Sequence, residues 1–139
     1  MNGIAYADAL KLIEAGIAWC KENNLYLAVA VVDAGGHPVA MGKCDEASVL
    51  AGEAVIQKAR AAIWTGGSTS RMVKIGKDWP HVYMSFAMAS QGQITLSMGG
   101  YVLVKDGQVV GGVGSAGGTG EQDETCSKVA AAAGGFETR

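Results

Sequence analysis

The chain has 139 residues, 49% of them hydrophobic and 17% charged, with a formal net charge of −2 at pH 7. That balance excludes a disordered chain and suits one domain that buries about two thirds of its unfolded surface. The absence of a basic stripe argues against a nucleic-acid partner, and no apolar run approaches the ~20 residues of a membrane-spanning helix. Residues 1–20 carry acidic groups inside a helical pattern and do not read as a signal peptide. Cys20, Cys44 and Cys126 are odd in number and lack CxxC spacing, so they read as reduced thiols with no metal site. The expected setting is cytoplasmic, and so little surface charge predicts a homo-oligomer.

In chain order, residues 4–22 predict an amphipathic helix, with Ile4, Ala5, Ala9, Leu12, Ile13, Gly16, Ile17 and Cys20 near helical spacing. Asn23-Asn24 is its stop. Leu25 to Val32 is apolar on both faces and reads as an interior strand. Asp33 to Pro38 is a turn, and Val39 to Lys43 returns as a second strand. Ser48 to Ile63 is the next helix. Residues 65–92 show no clear periodicity and read as a long functional loop or lid. Gln93–Leu96, Tyr101–Val104 and Val109–Val113 read as strands, the last two joined by Asp106-Gly107, a strong hairpin signal. Glu121 to Ala133 is the closing helix, ended by Gly134-Gly135. The order predicts a single α+β domain over 1–139, with an antiparallel sheet of about five strands and helices packed on it.

The strongest local feature is the stretch from Gly111 to Gly120, in which six of ten residues are glycine. A plain strand-to-helix turn needs fewer. The alternative is an anion cradle at a helix N-terminus, where exposed N–H groups and the helix dipole favour a carboxylate or phosphate. Ser115, Gly117, Gly118 and Thr119 are its expected ligand-holding residues, with Thr119 also a natural N-cap.

Several stretches together resemble the GlcG/HbpS family. They are Ala28 to His37 with its Asp33-Ala34-Gly35-Gly36, Lys58-Ala59-Arg60-Ala61-Ala62 with Thr65, Gly99-Gly100, Lys105 to Gly111, and Gly117 with Gln122-Asp123. That family includes haem-binding and haem-degrading proteins and the C-terminal domain of the PduO corrinoid adenosyltransferase. The resemblance implies a profilin-like α+β fold, a homo-oligomer such as a dimer or octamer, and haem as the cofactor. Many members lie in catabolic gene clusters. Two departures fall near the expected pocket. The glycine loop is longer than the family's Gly-Val-Ser-Gly, and Tyr101 stands where a proline usually follows the Gly-Gly.

The candidate chemistry rests on few residues. Asp123 suits the first turn of a helix electrostatically and is also a candidate general acid/base. His81 follows Trp79-Pro80 and is the better placed of two histidines for haem ligation or proton transfer, while His37 sits in a hairpin turn. Arg71, among hydroxyl residues, is a candidate carboxylate clamp. Lys58 matches the family's lysine and is expected in the pocket. Arg60, two positions on, faces another side. Two readings stay open. One is a small-molecule binding protein for haem or another planar or carboxylated ligand. The other is a cofactor-independent isomerase, deaminase or hydrolase of organic acids, in which Gly117 and Gly118 hold the carboxylate, Arg71 or Lys58 clamps it, and Asp123 or His81 moves the proton. Either pocket lies between the glycine loop and the 65–84 segment.

Overall fold

A computed structural model describes residues 3–139. The elements are α1 (Tyr6–Glu22), β1 (Ala28–Asp33), β2 (Pro38–Lys43), α2 (Val49–Thr65), α3 (Thr69–Asp78), α4 (Pro80–Ala89), β3 (Gly100–Lys105), β4 (Gln108–Ala116), α5 (Gly120–Ala133) and β5 (Glu137–Thr138). The five strands form one antiparallel sheet in the order β2-β1-β4-β3-β5. The α+β class and the strand number follow the expectation. The apolar run in β1 has strands on both sides, as its two-faced pattern predicts. The Asp106-Gly107 turn holds both residues at positive φ, 51° and 77°, the geometry of a two-residue hairpin.

Helices cover both faces of the sheet. Val102 and Val104 of β3 pack with Ala62 and Ile63 of α2 on one face. On the other, Tyr101 and Leu103 join a core that includes Leu12 and Cys20 of α1 and Cys126 and Ala130 of α5. Alternation along a single strand therefore feeds two layers of helix.

Three expectations are corrected. Residues 65–92 are not a loop: they carry α3 and α4. Trp79 lies between the helices at φ −134° and ψ 67°, and Pro80 opens α4 at its first helical position. Proline forces the preceding residue out of the helical region, so the pair breaks one long periodicity into two short ones. Gln93–Leu96 is not a strand. Thr95 N–H donates to Gln57 O of α2 at 3.4 Å, so this segment runs against a helix. The fifth strand is β5, which pairs Thr138 with Leu103 and Glu137 with Val104.

The glycine stretch is also not a loop over most of its length, since Gly111 to Ala116 belong to β4. The reason for glycine there is close approach. A Cβ on Gly112 would lie 2.8 Å from Ala59 O, and one on Gly114 would lie 2.8 Å from both Ala59 N and Val55 O. Those atoms are backbone of α2. The helix rests directly on the strand, and only hydrogen atoms fit between them.

Candidate functional site

Helix α2 buries Ala51, Val55, Lys58, Ala59 and Ala62, a stripe at helical spacing that points at the sheet. Lys58 is the one charged member of that stripe. Because α2 lies so close to β4, the lysine crosses to the end of the strand. Its Nζ donates to Ser115 O at 3.1 Å and to Asp123 Oδ2 at 2.6 Å. The two side chains retain 8% and 3% of their exposure. Asp123 comes from the first turns of α5, and its Oδ1 accepts Gly118 N–H at 3.0 Å. Burial pushes the Asp123 carboxyl up, against the downward pull of the Lys58 ammonium and the Gly118 N–H.

The turn before α5 is closed on itself. Thr119 Oγ1 accepts Gln122 N–H at 3.2 Å, and Gln122 Oε1 accepts Thr119 N–H at 2.9 Å, a complete capping box. With Gly118 N–H on Asp123, two of the amides expected to cradle an anion, those of Gly118 and Thr119, already have protein acceptors. Ser115 is buried. Its hydroxyl meets Ser127 Oγ at 2.8 Å, and Ser127 Oγ donates to Gly99 O at 2.7 Å, so each hydroxyl has a partner.

The ion pair forms the floor of a surface groove. Two clefts of about 350 and 310 Å³ share Lys58, Ser97, Gly118 and Asp123. Val73 of α3, Met98 and Gly120 flank the first, and Leu50, Ala54, Thr95 and Gly117 flank the second. The groove thus lies between the glycine turn and the start of α3, in the region the sequence suggests. Sequence reasoning missed Thr95, which lies in the segment misread as a strand, and Ser97 and Met98, which follow it. Leu50 and Ala54 read only as helix positions, and Val73 falls in the segment read as a loop. None carries a local signal, since their place in the groove comes from α2 and α3 packing beside β4.

Lys58, Gly117, Gly118 and Asp123 are therefore brought together, with Thr119 beside them as the cap and Ser115 contributing its carbonyl. His81 and Arg71 line neither cleft. His81 is exposed near the start of α4, with its ring edge-on to Trp79 at 6.1 Å between centroids. The Arg71 guanidinium bonds to Thr65 O at 3.1 Å and to Ser68 O at 3.2 Å, at the corner between α2 and α3. Arg60 bonds to Gly36 O and Gln93 O, away from the groove. Among the described residues, no cluster of three histidine, cysteine or acidic side chains has the geometry to hold a metal ion.

This fold has relatives. A family model described as haem-degrading protein HbpS-like matches residues 4–132. The chain belongs to the HbpS-like family. The HbpS-like chain is 34% identical over 109 residues to the protein GlcG of Escherichia coli K12, covering 76% of this chain and 75% of GlcG. It is 26% identical over 130 residues to the corrinoid adenosyltransferase PduO of Salmonella typhimurium, covering 94% of this chain but only 38% of PduO. The solved structure of a PduOC–haem complex superposes with a TM-score of 0.90 at 25% identity, covering 99% of both chains.

Proposed function

We propose that the protein binds a flat, carboxylated small molecule in the Lys58–Asp123 groove, with haem the first candidate. One observation carries this reading. The Lys58 ammonium has three donor hydrogens, and Ser115 O and Asp123 Oδ2 take two. The third is left beside an open groove. A buried ion pair is a poor source of stability compared with an apolar pair of the same volume, so its presence at the floor of a groove points to ligand binding. The PduOC–haem complex, matched along nearly the whole chain, supports haem as the ligand class.

The groove fits haem chemically. Leu50, Ala54, Val73 and Met98 offer apolar walls, and Lys58 and Ser97 offer donors to propionates. The Met98 thioether is the one soft iron donor among these lining residues. Bound haem would supply iron for redox or dioxygen chemistry, while the chain's own residues bind and orient it. Haem titration followed by the Soret band tests this reading. Ser97→Trp, which fills both clefts, weakens binding by about tenfold or more, the scale of one charge-assisted contact. Unchanged affinity in a folded variant rules the groove out as the haem site. In the same titration, Met98→Ala shifts the Soret maximum if the thioether holds the iron, while His81→Ala, outside both clefts, leaves it in place.

A second reading is a cofactor-independent isomerase, deaminase or hydrolase of organic acids. The observation in its favour is a carboxyl raised by burial beside a lysine with a spare donor, a pairing able to hold an acid and move a proton. Turnover of a panel of small hydroxy and amino acids, lost in Asp123→Asn, would establish it. In either reading the protein acts as a homo-oligomer, a dimer or an octamer, in the cytoplasm. Exposed Trp79, Met84, Phe86 and Met88 on and beside α4, with Val49 and Leu50 on α2, suit a contact between copies. Light scattering at micromolar concentration that returned a clean 14.2 kDa monomer would refute the oligomer.

A further inference from the structure

A second cavity, of about 460 Å³, lies away from the groove under the α3–α4 hairpin. Its size is that of small-molecule sites. Met72, Ile75, Phe86, Ile94 and Trp64 make its walls apolar, and Arg71 is its only charged lining residue. Helix α3 separates the two sites. Val73 faces the groove, while Met72 and Ile75 face this cavity.

Two of the lining residues, Trp64 and Arg71, are held in place before any ligand arrives. Trp64 Nε1 donates to Gly35 O at 3.0 Å, and the Arg60 guanidinium lies 5.8 Å from the Trp64 ring centroid. The Arg71 fork is fixed by Nε to Ser68 O and by Nη2 to Thr65 O. These acceptors are neutral carbonyls. The ion pairs among the described residues are Lys11–Asp8 and Lys58–Asp123, so Arg71 has no carboxylate partner there. Its Nη1 donors are not spent on any of these bonds. A fixed guanidinium with an unspent donor edge, set in an otherwise apolar cavity, complements one carboxylate attached to an apolar body. The same lining ranks the alternative partners lower. A polyanion would find a single cation, and a neutral apolar molecule would cover Arg71 without giving its free donors an acceptor.

We infer that the α2–α3–α4 cavity is a binding site for an apolar monocarboxylate, distinct from the Lys58–Asp123 groove, with Arg71 receiving the carboxylate. Octanoate and its uncharged counterpart octan-1-ol test the assignment, each titrated into isotopically labelled protein while the Trp64 indole N–H resonance is followed. Octanoate shifts that resonance saturably and binds about tenfold or more tightly than octan-1-ol, the scale of a charge-assisted hydrogen bond. Arg71→Gln abolishes the preference and leaves octan-1-ol binding in place. Arg71→Lys, which keeps the charge at the α2–α3 corner, retains part of the preference and serves as the readout if Arg71→Gln does not fold. Ala89→Trp, which fills the cavity from its rim, eliminates both ligands, while Ser97→Trp in the groove affects neither. Absence of saturable octanoate binding overturns the assignment. So does equal affinity for the two ligands, or binding that survives Ala89→Trp.

Discussion

The groove and the α3–α4 hairpin sit on either side of α3, yet they are built in opposite ways. The groove is fixed by contacts between distant parts of the chain. Lys58 meets Asp123 across 65 positions, and α2 lies on β4 with glycine between them. The hairpin is anchored at one end, where Thr69 of α3 accepts Gly100 N–H at 3.0 Å. None of the α4 residues is buried, and the tether of α4 is Tyr83 Oη donating to Leu96 O. A charge pair demands a rigid frame, because a small displacement turns a satisfied pair into two uncompensated charges. An apolar cavity tolerates looseness, because dispersion contacts are non-directional and individually weak. The rigid region is suited to chemistry or orientation, and the loose one to admitting a ligand.

The largest effect should come from breaking the rigid side. Lys58→Met alone leaves the Asp123 carboxylate buried without its cation, and denaturant unfolding should show a loss of about 3–5 kcal/mol. The Lys58→Met, Asp123→Leu double substitution should recover most of that loss. A double variant as unstable as the single one would mean that the pair itself holds the frame together.

Gly114→Ala probes the same frame sterically. The added methyl meets backbone of α2 at 2.8 Å, where nothing flexible can move aside. The expected cost is about 1–3 kcal/mol, accompanied by weaker ligand binding in the groove as α2 is lifted. Unchanged thermal stability would show that α2 is free to shift and that the frame is softer than its contacts imply.

Tyr83→Phe should sharpen the contrast from the loose side. Removing one hydrogen bond of about 0.5–1.5 kcal/mol speeds hydrogen exchange in α4 by roughly fivefold. Amides of β4 and α2 stay as they are. Uniform acceleration across the molecule would mean that hairpin and groove open together, and the two-region picture would fail.

The smallest effect serves as a control outside both regions. Asp33 accepts N–H groups of His37 and Gly35 in the β1–β2 turn, and these hold its carboxyl below the usual carboxylate range. A folded-state pKa below the unfolded value near ~3.9 adds stability above that pH and loses it as pH falls through the folded value. Asp33→Asn should flatten this acid limb slightly, by less than about 1 kcal/mol, with no change in either ligand site.

Much of the fold can be read from the chain because its signals are local. The α1 stripe, the two-faced β1, the Asp106-Gly107 hairpin and the capped start of α5 each depend on neighbours within a few residues. Lys58 and Asp123 are also visible one at a time, as a match to the family's lysine and as an acid in the first turn of a helix. Their pairing is not visible, because it depends on how closely α2 approaches β4. The same approach explains Gly112 and Gly114, whose local pattern mimics an anion loop. The α3–α4 hairpin escapes notice for the opposite reason. Its one core-facing stripe, Thr69, Met72 and Ile75 on α3, is short, and α4 buries none of its residues, so neither helix stands out in the sequence. The sequence by itself determined the class, most element positions and the individual candidate residues, since propensity, capping and turn chemistry act over short range. Only the tertiary structure decided that Lys58 and Asp123 share one groove, that Arg71 faces a different cavity and that β5 closes the sheet, because each depends on packing between segments that the chain order keeps far apart.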